Sequence, residues 1–176
     1  MSKATVKKLL RSMSKEDIIE MVIEMYDACK EAKEYLEYYA NPDENGKLEE
    51  YKNIICAEFY PEGRRLPKAR LSVCRKAVAD FKKLKPSADA IAELMLSYME
   101  NAIEFTHDFG DMSELYYVSV EGNFAKTVEF IAKNGLWEKF DKRLQQCVSW
   151  ASVCGYGFAD GIDDIYEEAR HRIVGE

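Results

Sequence analysis

Apolar residues recur every three or four positions along nearly the whole chain, and no segment alternates long enough to read as a strand. Ser2 can cap a short amphipathic helix that runs to about Met13. Ser14-Lys15-Glu16-Asp17 places an acid three residues after a serine, the spacing of a capping box. From there Ile18, Met21, Val22, Met25, Cys29, Ala32 and Leu36 keep a 3.6-residue period, which predicts one helix to about Tyr39. "NPDENG" interrupts it with Pro42 and Gly46. Leu48, Tyr51, Ile54, Ile55 and Phe59 mark the next helix, which stops at "YPEGRRLP".

Five more helices follow by the same reading. Lys68 to Leu84 turns Val73, Cys74, Ala77, Val78 and Phe81 inward. Pro86-Ser87 opens a helix whose stripe is Ile91, Leu94, Met95, Tyr98, Met99, Ala102 and Phe105, ending near His107 before Gly110. Asp111-Met112-Ser113-Glu114 starts a helix that runs to Asn134-Gly135. Leu136 to about Val153 comes next, Gly155-Tyr156-Gly157 is a turn, and Asp160 to Ile173 is the last helix. The fold class is therefore all-α, with about eight helices in stacked antiparallel pairs, α-solenoid-like or an irregular helical bundle. The length suits a single domain over residues 1–176, with possible halves 1–85 and 86–176.

Set against itself with a shift of 49 residues, the chain gives a faint echo: Phe81 falls on Phe130, Ala102 on Ala151, Phe109 on Phe158, Asp111 on Asp160 and Tyr117 on Tyr166. Helices of similar composition produce such matches by chance, and stacked repeats produce them by descent. Either way two helix junctions stand out as structural turns: Phe109, Gly110 and Asp111, and Gly155, Tyr156, Gly157, Phe158 and Asp160. Gly110 is expected to take a positive φ, and Asp111 and Asp160 to cap the helices that follow.

Composition is that of a folded domain, 47% apolar and 32% charged. "MSKATVKKLLRSMSKED" has charges every few residues and no apolar signal region. The longest uncharged stretch, Leu144 to Ala159, is too short and too polar to span a bilayer, so no membrane is expected. Five cysteines with no CxxC pair fit reduced thiols in a cytoplasm better than a disulfide framework.

The net charge of -7 conceals two basic segments. Residues 1–15 carry Lys3, Lys7, Lys8, Arg11 and Lys15 and no acid. Residues 64–85 carry Arg64, Arg65, Lys68, Arg70, Arg75, Lys76, Lys82, Lys83 and Lys85 against Asp80 alone. Lys68, Arg75 and Lys82 lie seven residues apart, with Lys76 and Lys83 one step round from the last two. That makes a positive stripe opposite the core stripe. Such a stripe is either a solvated face or a surface for nucleic acid, phosphate or an acidic partner. A pI near 5.1 weakens general DNA binding, which needs an exposed positive surface.

Two Glu-x-x-His pairs, Glu104 with His107 and Glu168 with His171, match part of the ligand pattern of a di-iron bundle. Both pairs sit at helix ends among charged residues, where a histidine favours the negative end of the helix dipole without any metal. Cys147 and Cys154, seven apart, lack the short spacing of a zinc site. No P-loop, nucleophile elbow or Gly-x-Gly-x-x-Gly occurs. Eleven tyrosines, including Tyr38-Tyr39 and Tyr116-Tyr117, suit core packing first and a peptide groove second.

"SKEDIIEMVIEMYDACKEAKEYLEYYANPDE", "RKAVADFKKLKPSADAIAELMLSYMENAIEFTHDFGD" and "GYGFADGIDDIYEE" together resemble an uncharacterised bacterial family, common in Bacteroidetes, of small all-helical proteins of unknown function. The resemblance implies a cytoplasmic helical protein and supplies no activity, cofactor or catalytic residue. The expectation is a non-catalytic binding or scaffold protein for a protein or peptide partner. Polyanion binding through Arg64, Arg65, Lys68, Arg75, Lys76, Lys82 and Lys83 ranks second. A di-metal enzyme using the histidine pairs ranks third, and no cofactor is expected.

Overall fold

The computed structural model covers Met1–Glu176 and describes all residues except Tyr156 and Glu176, together with the side chain of Val174. The predicted turn residue Tyr156 thus lies outside the described residues. Nine helices and no strand occur among the described residues. The all-α class holds, and the helix count exceeds expectation by one. The chain divides into two compact units, Met1–Asp43 and Glu44–Glu176. That boundary falls in a different place from residue 85, because the helices on either side of Lys85 share one core.

The first unit contains α1 (Lys3–Ser12), α2 (Lys15–Ala28) and α3 (Lys30–Ala40). Ser2 and Ser14 cap α1 and α2 as expected, and Ser14 with Asp17 forms the full capping box. The single helix predicted to Tyr39 is instead broken at Cys29, one extended residue at φ -129° and ψ 111°. The break lets the Tyr26 hydroxyl on α2 donate to Glu37 Oε1 on α3 at 2.8 Å. Eleven residues of continuous helix would hold those groups about 16 Å apart along the axis. No residue of these three helices is buried.

The second unit contains α4 (Glu44–Phe59), α5 (Leu71–Lys83), α6 (Ala88–Phe109), α7 (Glu114–Lys133), α8 (Trp137–Ala151) and α9 (Phe158–Val174). Gly46 belongs to the first turn of α4 and not to the break before it. α6 is the central element. It packs against α4, α5, α7 and α8, and residues from Ala90 to Thr106 are buried on most sides of it. A helix apolar nearly all round belongs in an interior. α4, α6 and α8 lie side by side, and α7 and α9 pack on each other, α7 also on α6 and α9 also on α8. Phe59, Phe81, Phe124, Phe140 and Phe158 are fully buried in the resulting core. Gly161 lets α9 come close to the Glu121 side chain of α7, since a Cβ there would lie 3.1 Å from its carboxyl.

Ion pairs stitch the α4–α6–α8 layer along its rim. Arg143 on α8 spans Glu93 and Glu100 on α6, and Lys52 on α4 also reaches Glu93, at 2.8 Å. The two carboxylates hold the Arg143 guanidinium well above its ordinary value.

The junction expectations need one correction. Gly110 ends α6 at φ 91°, as predicted, with its amide bonded to the Thr106 carbonyl. Asp111 does not cap α7: Ser113 does, its hydroxyl accepting from the Tyr116 amide. Asp111 instead accepts from the Tyr117 hydroxyl at 3.0 Å and from the Gly155 amide at 3.3 Å, tying the two junctions together. Asp160 lies in the first turn of α9, whose N-cap position is Gly157, so its role there is to favour the helix dipole. The 49-residue echo separates at the same place. Phe109 closes α6 and is exposed, whereas Phe158 opens α9 and is fully buried.

Candidate functional site

The predicted stripe does not form as drawn, because α5 starts three residues later than its sequence suggests. The Lys68 and Ala69 amides both donate to the Glu58 carbonyl, at 2.9 and 2.8 Å. Ala69 takes φ 47°, a left-handed conformation no helix can contain. Glu58 then accepts from the Arg70 amide and binds its guanidinium through both oxygens, at 2.9 and 2.6 Å. Those hydrogen bonds hold the Glu58 carboxyl below its usual range. One buried glutamate thus organises the whole approach to α5 and leaves Lys68 exposed ahead of it.

The remaining predicted cations separate into three pairs. Lys76 and Lys83 both bind Asp80, which neutralises much of their face. Arg64 and Arg65 are exposed in the preceding loop, with Arg65 Nε donating to the Glu62 carbonyl at 3.3 Å. Arg75 and Lys82 face the other way, into a cavity of about 440 Å³.

That cavity exists because α5 and α7 both pack on α6 and flank the same face of it without packing closely on each other. Its floor is Met95 and Tyr98 of α6. One wall is Arg75, Val78 and Lys82 of α5, and the other is Asn123, Lys126, Thr127, Phe130 and Lys133 of α7. Lys82 Nζ lies 5.1 Å from the Phe130 ring centre. Burial pushes its ammonium below the ordinary lysine value, and no carboxylate offsets that. Arg75 donates to the Ser119 hydroxyl at 2.9 Å. Lys133 is bound by Glu129 at 2.6 Å. The Tyr98 hydroxyl is buried beside the Arg75 guanidinium and makes no well-formed hydrogen bond among the described residues. Burial also raises the Tyr98 pKa, so the hydroxyl remains a donor.

Sequence reasoning found Arg75 and Lys82 and missed Lys126, Lys133, Phe130 and Tyr98. The signal was present for two of these. Lys126 and Lys133 repeat on α7 the seven-residue spacing of Arg75 and Lys82 on α5. Nothing in the sequence says that the two pairs face one cavity.

The histidine pairs lie elsewhere. His107 sits in the last turn of α6 beside Asp108, at 3.1 Å, and exposed His171 on α9 lies 3.9 Å from Glu167. Burial and the neighbouring Asp108 and Glu100 raise the Glu104 carboxyl. Glu168 is exposed on α9. No group of three or more His, Cys, Asp or Glu side chains is placed to hold a metal among the described residues. The five cysteines are free, and burial pushes the Cys74 thiol up to about 12.

In class, then, this is an all-α protein with a cationic, apolar-floored cleft. It belongs to a family of unknown function (DUF6155), whose profile matches residues 1–168 and so spans both units. No curated protein and no solved structure matches the chain. No helix among the described residues is long and apolar enough to cross a membrane.

Proposed function

We propose that the protein is a non-catalytic binding protein, and that its cleft between α5 and α7 takes an acidic, apolar-anchored segment of a protein partner. The observation carrying this reading is the gathering of Arg75, Lys82 and Lys126 over an apolar floor in one cavity, where Glu129 neutralises Lys133. Cations alone would suit any polyanion. Cations around Met95, Val78 and Phe130 favour a ligand that brings an apolar side chain between its acids. Nucleic acid is the weaker reading, because Asp80 neutralises Lys76 and Lys83 beside the cleft. A bacterial cytoplasmic setting is part of the same proposal, supported by the free cysteines and by the resemblance of the sequence.

The test is fluorescence anisotropy with a labelled peptide alternating glutamate and phenylalanine. Changing Lys82 and Lys126 to Glu should weaken binding by about tenfold or more, since like charges across an interface are costly. Changing Lys76 and Lys83 to Glu should not. Equal losses in both variants, or tighter binding of a single-stranded oligonucleotide than of the peptide, would overturn the reading.

A further inference from the structure

Lys82 is the half-buried lysine of the cleft, whereas Lys126 and Lys133 across from it are exposed. Its neighbours on α5, Lys76 and Lys83, are exposed as well and bind Asp80. Lys82 Nζ instead lies over the Phe130 ring at 5.1 Å, and no described carboxylate acts on it. The titratable groups around it in the cleft are Arg75 of α5, Tyr98 of α6, and Lys126, Glu129 and Lys133 of α7. Glu129, the carboxylate among them, is already bound to Lys133 at 2.6 Å.

Desolvation without a counter-charge favours the neutral amine, and the Lys82 pKa is lowered accordingly. A neutral lysine amine attacks carbonyl carbon, and an apolar wall or a neighbouring cation is what activates one. Exposed Arg75 and Lys126 line the same space of about 440 Å³ and attract an anion into it. The cleft thus sets an anion-binding rim over an amine with no acid to hold it.

We propose that Lys82 captures small oxo acids, aldehydes or ketones that carry a carboxylate, as imines, with Arg75 and Lys126 holding the charged end. The amine lone pair adds to the carbonyl carbon. Both amine hydrogens then leave with the carbonyl oxygen as water, and a C=N bond replaces C=O. No oxidant or reductant is consumed, and water reverses the step. This goes beyond peptide binding: it uses the same cleft and stands whether or not a peptide enters.

The test is reductive trapping of the full-length chain with glyoxylate and sodium cyanoborohydride, read residue by residue by mass spectrometry. Hydride adds to the imine carbon and water protonates the nitrogen, so each captured lysine becomes a stable secondary amine. At neutral pH Lys82 should be labelled about tenfold faster than exposed Lys83, and that excess should fall as salt rises. With propanal, an uncharged aldehyde, the excess should be several times smaller. Changing Arg75 and Lys126 to Met should cut glyoxylate labelling of Lys82 by about tenfold and propanal labelling much less, with circular dichroism unchanged. Lys82 labelled no faster than Lys83, or an excess in the wild type as large with propanal or indifferent to salt, would overturn the proposal. A glutamate–phenylalanine peptide that fails to bind, with glyoxylate capture intact, would remove the peptide reading and leave this one.

Discussion

The two units use the same alphabet to opposite ends. In the second, six helices bury five phenylalanines completely, and ion pairs such as Arg143 with Glu100 bind helix to helix. In the first, three helices leave every residue at least partly exposed, and the Tyr26–Glu37 bond is an exposed link between two of them. Both have well-formed caps and helical periodicity. Local signals therefore suffice to make a helix, while tertiary burial decides whether it is held.

The largest effect should come from cutting that burial. Phe124→Ala removes a fully buried ring from α7 and should cost about 3–5 kcal/mol in the urea midpoint of the second unit. Met25→Ala, at a position 50% exposed on α2, should stay within about 0.5 kcal/mol. Comparable losses at the two positions would mean that the first unit has a core after all.

Hydrogen exchange should separate the units next. Amides of α6 should open only with global unfolding, and those of α2 and α3 through local events of much lower free energy. Thiol labelling is the companion measurement. Exposed Cys29 should react under native conditions, whereas buried Cys74 and Cys147, both pushed up by desolvation, should react only on unfolding.

These differences show what the sequence could and could not convey. Helix class, the Ser14 capping box and the Gly110 stop were legible because each is set by neighbours a few residues away. The break at Cys29 was not, since no glycine or proline marks it. The start of α5 was also hidden. It depends on Glu58, twelve residues upstream of Arg70, using both its carbonyl and its carboxylate. For the same reason the site was half legible: Arg75 and Lys82 could be placed on a helix face, but their meeting with Lys126 across α6 is a tertiary fact.

Glu58 supplies the pH test. Its folded pKa lies below the unfolded value, so its contribution is present above the ordinary carboxylate range and is lost as pH falls through the folded pKa. Glu58→Gln should therefore lower the denaturation midpoint of the second unit at neutral pH and move it much less under acid conditions. A deficit that is unchanged from pH 7 into the acid range would assign Glu58 a packing role and not an ionic one.

The smallest expected effect is the most discriminating, because it makes one chemical change in both units. Ser113 caps α7 in the second unit and Ser14 caps α2 in the first. Removing either hydroxyl strips a partner from an N-terminal amide and should cost its helix about 1 kcal/mol. At Ser113 that helix is welded into the core, so the loss should appear in the global denaturation midpoint. At Ser14 the helix has no fully buried residue, so the midpoint should not move, and the loss should appear only as about fivefold faster exchange in the first turns of α2. Should Ser14→Ala lower the midpoint as much as Ser113→Ala, the first unit must unfold together with the second. The independence inferred from its lack of buried residues would then be wrong.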